Sequence, residues 1–145
     1  MKQVAVIGTG RIGRIHATNL TTLPGIRLRY VSDPAGDSAA SLAALLHTQV
    51  ASIEVVLADP DIDAVVIASP TTTHSELIER VAAAGKHIFC EKPVDLSAQR
   101  AEACAVAPAA AFRRMTLRRD DTEARVAWED VPVSTVDLRR RILDA

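Results

Sequence analysis

Three glycines within six residues follow the first apolar run of the chain. The run Val4 to Ile7 is short and rich in β-branched residues, as expected of a buried parallel strand. Gly8, Gly10 and Gly13 come next in a Gly-x-Gly-x-x-Gly pattern. Such glycines permit a tight turn, let backbone amides approach a diphosphate, and let the following helix pack close to the strand. The pattern predicts a strand, a glycine-rich turn and a helix whose N-terminus faces an anion.

An acidic residue stands where such a turn needs one to bind a dinucleotide. Asp33 follows a second apolar-rich segment, residues 26–32, and lies twenty residues after Gly13. Its carboxylate is expected to accept hydrogen bonds from both hydroxyls of the adenosine ribose and to repel a 2′-phosphate. We therefore expect NAD as the cofactor rather than NADP, unless Arg11 compensates the phosphate charge. The alternative, a plain glycine loop, does not account for the strand, the helix and Asp33 in register.

The composition is typical of an ordinary soluble globular protein. The 145 residues are 48% hydrophobic and 24% charged, with a net charge of −1. We expect one domain, with no electrostatic basis for binding nucleic acid or a membrane. No apolar stretch reaches the roughly 18 residues of a spanning helix and the N-terminus enters a strand directly, so a cytoplasmic protein is expected. Cys90 and Cys104 show no metal-ligand spacing, which predicts two free thiols and no metal site.

The rest of the chain alternates between strand and helix patterns. Strands are expected at about 3–8, 26–32, 49–51, 63–69 and 86–91, and helices at about 11–21, 36–47, 53–57, 73–84 and 97–107. Ser52 and Ser97 are expected N-caps, residues 71–73 offer several threonine candidates, and Gly85 is expected to end a helix. The alternation predicts an α/β fold, a doubly wound parallel sheet with helices on both faces.

Two polar clusters follow neighbouring strands at the sheet edge where ligands bind in such folds. Residues 69–74 follow one strand, and Glu91 and Lys92 follow the next. We expect Lys92 to be partly buried beside the nicotinamide half of the cofactor, where its amine can polarise or deprotonate a substrate hydroxyl. Pro93 favours an extended conformation at Lys92 and so fixes its direction. The alternative is a solvated lysine in a loop.

The other polar residues of these clusters have two interpretations each. Glu91 is either a ribose or lysine partner in the crevice or a charged residue that ends a strand. His74 either lines the nicotinamide pocket or helps to begin the helix after Pro70. His16, inside the first helix, is interpreted as a structural or surface residue.

Three motifs in this order resemble a known family. The segments 5–16, 62–74 and 84–97 are similar to the N-terminal half of the glucose-fructose oxidoreductase / inositol 2-dehydrogenase family, and the wording Phe-Cys-Glu-Lys-Pro-Val-Asp-Leu is most similar to inositol 2-dehydrogenases. The resemblance, over about residues 2–106, implies a Rossmann domain that binds NAD or NADP. It implies that Lys92 is the catalytic lysine of a Glu-Lys-Pro motif, and that the substrate is a polyol or sugar whose secondary hydroxyl is oxidised to a ketone.

The cofactor-binding residues that we predict come from the glycine loop and the two polar clusters. They are Gly8, Thr9, Gly10, Arg11, Ile12, Gly13, Asp33, Ser69, Pro70, Thr71, His74 and Glu91.

The resemblance stops near residue 107. Members of the family carry a second domain that supplies an Asp and a His of the active site, most of the substrate pocket and usually the oligomer interface, and we expect that substrate domain to be absent here. Residues 108–145 contain eight arginines and no lysine. We expect a cofactor domain at 1–107 and an atypical segment at 108–145 that is either poorly ordered or read in a shifted frame. The alternative is a genuine small domain completed by a strand at 112–117 and a helix at 136–143.

Two functions remain open on these grounds. The first is an NAD-dependent oxidoreductase, or its cofactor-binding half, acting on a polyol or sugar. The second is an NAD-binding module without turnover, either a sensor or an inactive remnant.

Overall fold

A parallel sheet of five strands forms the centre of the computed structural model, which describes residues 1–105, 113–119 and 124–130. The strands are β1 (Lys2–Ile7), β2 (Ile26–Ser32), β3 (Gln49–Val50), β4 (Ala64–Ile67) and β5 (His87–Cys90). They lie in the order β3-β2-β1-β4-β5, and every neighbouring pair is parallel. The helices are α1 (Arg11–Thr22), α2 (Gly36–Leu46), α3 (Ile53–Ala58), α4 (His74–Ala83) and α5 (Ala98–Ala105), with a 3-10 turn at Thr71–Thr73.

Alternate residues of each central strand pack on opposite faces of the sheet, because successive side chains of a strand point to opposite sides. Val4 and Val6 belong to a core that includes buried residues of α1 and α2. Ala5 and Ile7 belong to a second core with residues of α3, α4 and α5. The sheet is therefore covered on both faces, and the predicted doubly wound α/β fold is confirmed.

After β1 the chain forms β2 and β3 on one side of this strand, and it then returns to form β4 on the opposite side of β1. The strand ends are hydrogen-bonded at this point: Gly8 N donates to Ser32 O at 2.8 Å, and Ala68 N donates to Ile7 O at 2.8 Å. Ligands bind in open α/β sheets at such a switch point, outside the carboxyl ends of the strands. The loops after β1, β2 and β4 therefore meet at one crevice.

Three of the predicted helix boundaries are confirmed by their hydrogen bonds. Ser52 Oγ accepts from the backbone N–H three residues on at 3.3 Å, and Ser97 Oγ does so at 3.4 Å. Gly85 lies just after α4 with φ +70°, and its N–H donates to Ala82 O at 2.9 Å. The left-handed conformation explains why glycine stands there.

One of the threonine candidates is confirmed as the residue that precedes α4, although not through a side-chain cap. Thr73 is the N-cap residue, but its side chain makes no capping bond. Its Oγ1 donates to Pro70 O at 2.8 Å and lies 2.7 Å from Ser69 Oγ. The hydroxyl therefore stabilises the turn before the helix instead of the first turn of the helix.

Two further strands, β6 (Arg113–Arg119) and β7 (Ala124–Asp130), form an antiparallel pair separate from the central sheet. The strand expected at 112–117 corresponds to β6, whereas β7 was not predicted. The helix expected at 136–143 lies outside the described residues, and the division of the chain at 107/108 stays a prediction. Within the described ranges, no helix has the length and apolar character needed to cross a bilayer.

Candidate functional site

Two of the three loop glycines are required by the fold, and the third is not. A Cβ at Gly8, which has φ +94°, would lie 2.5 Å from the backbone N of Ser69. A Cβ at Gly13 would overlap the carbonyl oxygen of Gly8. Gly10 differs from both, because its φ of −64° suits any residue and a Cβ there would meet nothing within 4 Å. The missing side chain at Gly10 therefore keeps open a space that the protein does not fill.

Helix α1 begins at this space with its positive end uncompensated. Its N-cap is Gly10, which offers no side-chain cap, and its first turn contains no acidic residue. The first N–H groups of a helix have no intrahelical acceptor, and together with the helix dipole they attract an anion. Arg11 and Ile12 are exposed at the same place. This end of α1 can hold a diphosphate.

Asp33 points its carboxylate at the glycine loop. Oδ2 accepts from Thr9 N at 2.6 Å and from Thr9 Oγ1 at 2.9 Å. Oδ1 accepts from Ala35 N at 2.8 Å. Burial alone would raise the pKa of Asp33, but these hydrogen bonds from Thr9 and Ala35 outweigh it and leave the pKa below its ordinary value. The carboxylate is therefore ionised and held in place at neutral pH.

These contacts limit what Asp33 can offer to a ribose. An ionised carboxylate has about four accepting positions. The backbone and hydroxyl of Thr9 take two on Oδ2, and Ala35 N takes one on Oδ1. One position on Oδ1 remains, so the expectation that Asp33 accepts from both ribose hydroxyls at once does not fit these contacts.

His74 joins the loop after β4 to the segment after β5. Its ring is buried with 1% of its surface exposed. Nε2 lies 2.8 Å from Ser69 O, and Nδ1 lies 2.9 Å from Pro93 O. Both partners are carbonyl oxygens, so a ring N–H donates to the backbone at this point. His74 is the first residue of α4, which agrees with the interpretation that it helps to begin this helix. Its buried ring contacts backbone carbonyl groups and is not exposed as a pocket wall.

Lys92 follows β5 at the same edge of the sheet. It is exposed, so the expected partial burial is wrong in this structure. Its peptide bond to Pro93 is cis. His74 holds the carbonyl of Pro93 on one side of Lys92, and Glu91 is held on the other. The backbone on both sides of Lys92 is therefore held by these contacts, while Lys92 itself is exposed.

Glu91 contacts a residue that the sequence analysis did not assign to the site. Glu91 Oε1 lies 2.5 Å from Nε2 of His16, and its Oε2 accepts from the backbone N–H of Lys92 at 3.3 Å. The ring of His16 also packs edge-on against Phe89, with centroids 5.1 Å apart. A signal for this role was present in the sequence: His16 lies three residues after Gly13 and so shares the helix face that packs on the sheet.

The structure brings most of the predicted residues to one crevice. Thr9 and Asp33 contact each other, and Gly8 lies against the backbone of Ser69. Pro70 is exposed and Thr71 half-buried in the turn that Ser69 begins. Ser38, which the sequence analysis missed, joins Thr9 through a contact of 2.8 Å between their hydroxyl oxygens. In the part of the chain that the structure describes, no group of His, Cys, Asp and Glu side chains is arranged to hold a metal ion.

Comparison with known proteins assigns the chain to a family. Residues 2–116 match the model of the GFO/IDH/MocA oxidoreductases, described as an oxidoreductase family with an NAD-binding Rossmann fold. This chain belongs to that family. The resemblance noted from the three sequence motifs is therefore confirmed, and the GFO/IDH/MocA family binds NAD.

Several relatives of this GFO/IDH/MocA chain act on inositols. Inositol 2-dehydrogenase of Rhizobium meliloti (strain 1021) is 48% identical over 99 residues, which are 68% of this chain and 30% of that protein. The scyllo-inositol 2-dehydrogenase (NAD(+)) of Bacillus subtilis (strain 168) is 45% identical over 102 residues, with coverage of 68% and 30%. The crystal structure of scyllo-inositol dehydrogenase from Lactobacillus casei, with bound NAD(H) and scyllo-inositol, superposes with a TM-score of 0.69 and 30% identity, covering 74% of this chain and 32% of that one.

The chain thus spans about a third of the length of the relatives it matches.

Proposed function

We propose that this chain is the NAD-binding part of a dehydrogenase that oxidises a secondary hydroxyl of a polyol, such as an inositol, to a ketone. The observation that carries the proposal is the contact of Asp33 with Thr9, which sets an ionised carboxylate beside the open space at Gly10. A diphosphate at the start of α1 and a ribose beside Asp33 are the two parts of a dinucleotide that such a pair recognises. The residues of the crevice therefore fit NAD.

The preference for NAD over NADP follows from the charge of Asp33. A 2′-phosphate would bring negative charge beside a carboxylate that is held by three hydrogen bonds. Arg11 is exposed at the start of α1 and is the cation nearest in sequence to this loop. We expect its charge to reduce this discrimination without reversing it, because the ionised carboxylate stays in place.

The chemistry assigned to the chain itself rests on Lys92. NAD, when bound, supplies the acceptor for the hydride that leaves the substrate carbon. Lys92 Nζ, in its neutral amine form, would take the proton of the substrate hydroxyl, so that the C–O bond can become a carbonyl. Glu91 and His74 fix the backbone on either side of Lys92, and the turn of Ser69, Pro70 and Thr71 borders the nicotinamide half.

The substrate class is proposed from the relatives. Inositol 2-dehydrogenases match this chain at 45% to 48% identity. A cyclic polyol presents many similar hydroxyls, and the exposed Lys92 has room to reach one of them. We assign the chain to the oxidation of inositols or closely related polyols and sugars.

The test measures binding and turnover separately on the purified full chain. Calorimetric titration with NAD and with NADP should show that the chain binds NAD more tightly than NADP. The absorbance of NADH, measured with myo-inositol or scyllo-inositol as substrate, should then show turnover. Lys92→Ala should abolish turnover with cofactor affinity nearly unchanged, and Lys92→Arg should keep the charge without restoring proton transfer. Absence of binding to both cofactors would overturn the proposal.

A second candidate is an NAD-binding module without turnover. The observation that favours it is that Lys92 is exposed and not partly buried as a catalytic lysine is expected to be. Both candidates predict NAD binding, and only the dehydrogenase predicts NADH formation with a polyol. Binding of NAD without any absorbance change, even at high protein concentration, would favour the module.

A further inference from the structure

We propose that Thr9 is a positioning residue that sets the preference for NAD over NADP, by locking the carboxylate of Asp33 through its hydroxyl group. This inference rests on the proposed function, because it concerns how the same crevice chooses its cofactor. It goes further because Thr9 occupies an unspecified position of the Gly-x-Gly-x-x-Gly pattern, which by itself assigns no role to that side chain.

The first step is that Thr9 is built into the site. Thr9 is buried, with 0% of its surface exposed, although it lies in the loop that approaches the cofactor. A buried hydroxyl requires hydrogen-bond partners, and Thr9 Oγ1 has two within reach: Asp33 Oδ2 at 2.9 Å and Ser38 Oγ at 2.8 Å.

The second step is the direction of these hydrogen bonds. A hydroxyl carries one proton, so Thr9 Oγ1 donates to only one of its two neighbours. Donation to the ionised carboxylate is the stronger bond. Ser38 then donates its own proton to Thr9, either to Oγ1 at 2.8 Å or to the backbone carbonyl at 3.3 Å. The result is a chain of donors from α2 through the glycine loop to Asp33.

The hydrogen bonds that run from Ser38 through Thr9 restrict the carboxylate of Asp33. The Thr9 backbone and hydroxyl hold Oδ2, and Ala35 N holds Oδ1. Rotation of the carboxylate away from the ribose position would break bonds to both oxygens. A 2′-phosphate needs that rotation, or protonation of the carboxyl, to avoid the negative charge. Because the Thr9 hydroxyl opposes both, the site should discriminate against NADP through rigidity as well as through charge.

The experiment uses three variants of the full chain. Thr9→Val keeps the shape of the side chain and removes the hydroxyl, whereas Thr9→Ser keeps the hydroxyl. Ser38→Ala removes the donor behind Thr9 from a half-buried position on α2. For each variant, calorimetry gives the dissociation constants for NAD and NADP, and carboxyl carbon NMR gives the titration midpoint of Asp33.

The expected result separates the hydroxyl from the shape. Thr9→Val should lower the ratio of NAD to NADP affinity by about tenfold and raise the Asp33 midpoint by about one pH unit, as for the loss of one hydrogen bond to a charged group. Thr9→Ser should retain the ratio and the midpoint of the original chain. Ser38→Ala should change both in the direction of Thr9→Val by a smaller amount, and it decides the matter alone if Thr9→Val does not fold.

The outcomes also separate this inference from the proposed function. If the original chain binds neither cofactor, the proposed function fails and this inference with it. If the original chain prefers NAD and Thr9→Val keeps the same ratio and midpoint, only the role of Thr9 is overturned. Equal changes in Thr9→Val and Thr9→Ser would also overturn it, because they would show that packing and not the hydroxyl matters.

Discussion

Glu91 and His16 connect the segment before Lys92 to helix α1, with Oε1 and Nε2 2.5 Å apart. The two side chains lie 75 residues apart in sequence and are partly exposed, with relative exposures of 28% and 20%. His16 also contacts Phe89 of β5. The same pair therefore couples α1, which follows the glycine loop, to β5, which precedes the Glu-Lys-Pro motif.

This pair should show an energetic coupling in a double-mutant cycle. Glu91→Ala and His16→Ala each remove the contact, and each should lower the free energy of unfolding by about 1 kcal/mol. Because the contact is shared, the double variant should lose less than the sum of the two, by about 0.5 kcal/mol after allowance for partial exposure. Urea denaturation of the four proteins measures the difference. Additive losses would show that the contact contributes nothing.

The loop glycines should respond differently to the same substitution. Gly13→Ala puts a Cβ onto the carbonyl oxygen of Gly8, where only backbone can yield, and should cost about 3 kcal/mol or more in stability. Gly10→Ala meets no protein atom within 4 Å and should change stability by less than about 1 kcal/mol. It should still weaken NAD binding by at least about tenfold if a diphosphate lies in that space.

Thermal denaturation and NAD titration of both variants check this contrast. Gly10→Ala with unchanged NAD affinity would contradict the placement of the diphosphate. Gly36→Ala, at the start of α2 where a Cβ also meets nothing within 4 Å, is the matched control for alanine in open space. It should keep both stability and NAD affinity.

The fold could be predicted from the sequence because its local signals agree with each other. The apolar run of β1, the glycine turn and the capping serines each specify one local conformation, and the alternation of strand and helix leaves few topologies. The predicted elements lie within a few residues of those observed, from β1 at Lys2–Ile7 to α5 at Ala98–Ala105.

The contacts of the site could not be predicted because they join distant parts of the chain. Sequence spacing indicates that Asp33 lies near the glycine loop, but not that Thr9 already fills two of its accepting positions. The orientation of His74 depends on Pro93, which is 19 residues away. The exposure of Lys92 depends on which other residues pack over the end of β5, and the residues next to Lys92 in sequence do not determine that packing.

Acid should destabilise the chain partly through Asp63. Burial alone would raise the pKa of Asp63, but the Lys2 ammonium, 2.5 Å from Oδ1, and Gln3 N, 2.8 Å from Oδ2, outweigh burial and leave the pKa lowered. A carboxyl whose pKa is lower in the folded state stabilises the fold above its unfolded pKa of about 3.9. That contribution is lost as pH falls through the folded pKa.

The free energy of unfolding should therefore begin to fall below about pH 5 and should continue to fall as the pH passes through the lowered pKa of Asp63. Asp63→Asn should be less stable near neutral pH by about 1 kcal/mol and should show a shallower fall in acid. Denaturation curves at a series of pH values check this. Lys2→Ala is the partner variant, and its slope should lie between the other two because the bond from Gln3 remains. Parallel curves for the original chain and Asp63→Asn would contradict the prediction.

Cys90 should be chemically inert in the folded chain. Burial raises its pKa to about 12, with smaller contributions from Glu91 and Cys104. The pKa of Cys104 is raised as well, mainly by burial. The thiolate is the reactive form, so alkylation by iodoacetamide at about pH 8 should be far slower than for a free thiol of pKa about 8.5. Mass spectrometry should show both thiols labelled in urea and neither labelled quickly without it, whereas rapid labelling of the folded chain would contradict the assignment.

His74 should contribute to stability through both of its ring nitrogens. His74→Phe fills a similar volume but leaves the carbonyl oxygens of Ser69 and Pro93 without their partner. Loss of one partner from a buried polar group costs about 1–3 kcal/mol, so the free energy of unfolding should fall by about 2 kcal/mol or more. His74→Gln, which can still donate to one carbonyl, should lose about half as much.

Urea denaturation compares these two variants with Thr72→Ala, an exposed change in the same turn that should be near neutral. Limited proteolysis gives an independent readout, because release of the Pro93 carbonyl should make the chain near Lys92 easier to cleave while the glycine loop stays protected. If His74→Phe were as stable and as resistant as the original chain, the ring would be a packing element and not the link between the loops after β4 and β5.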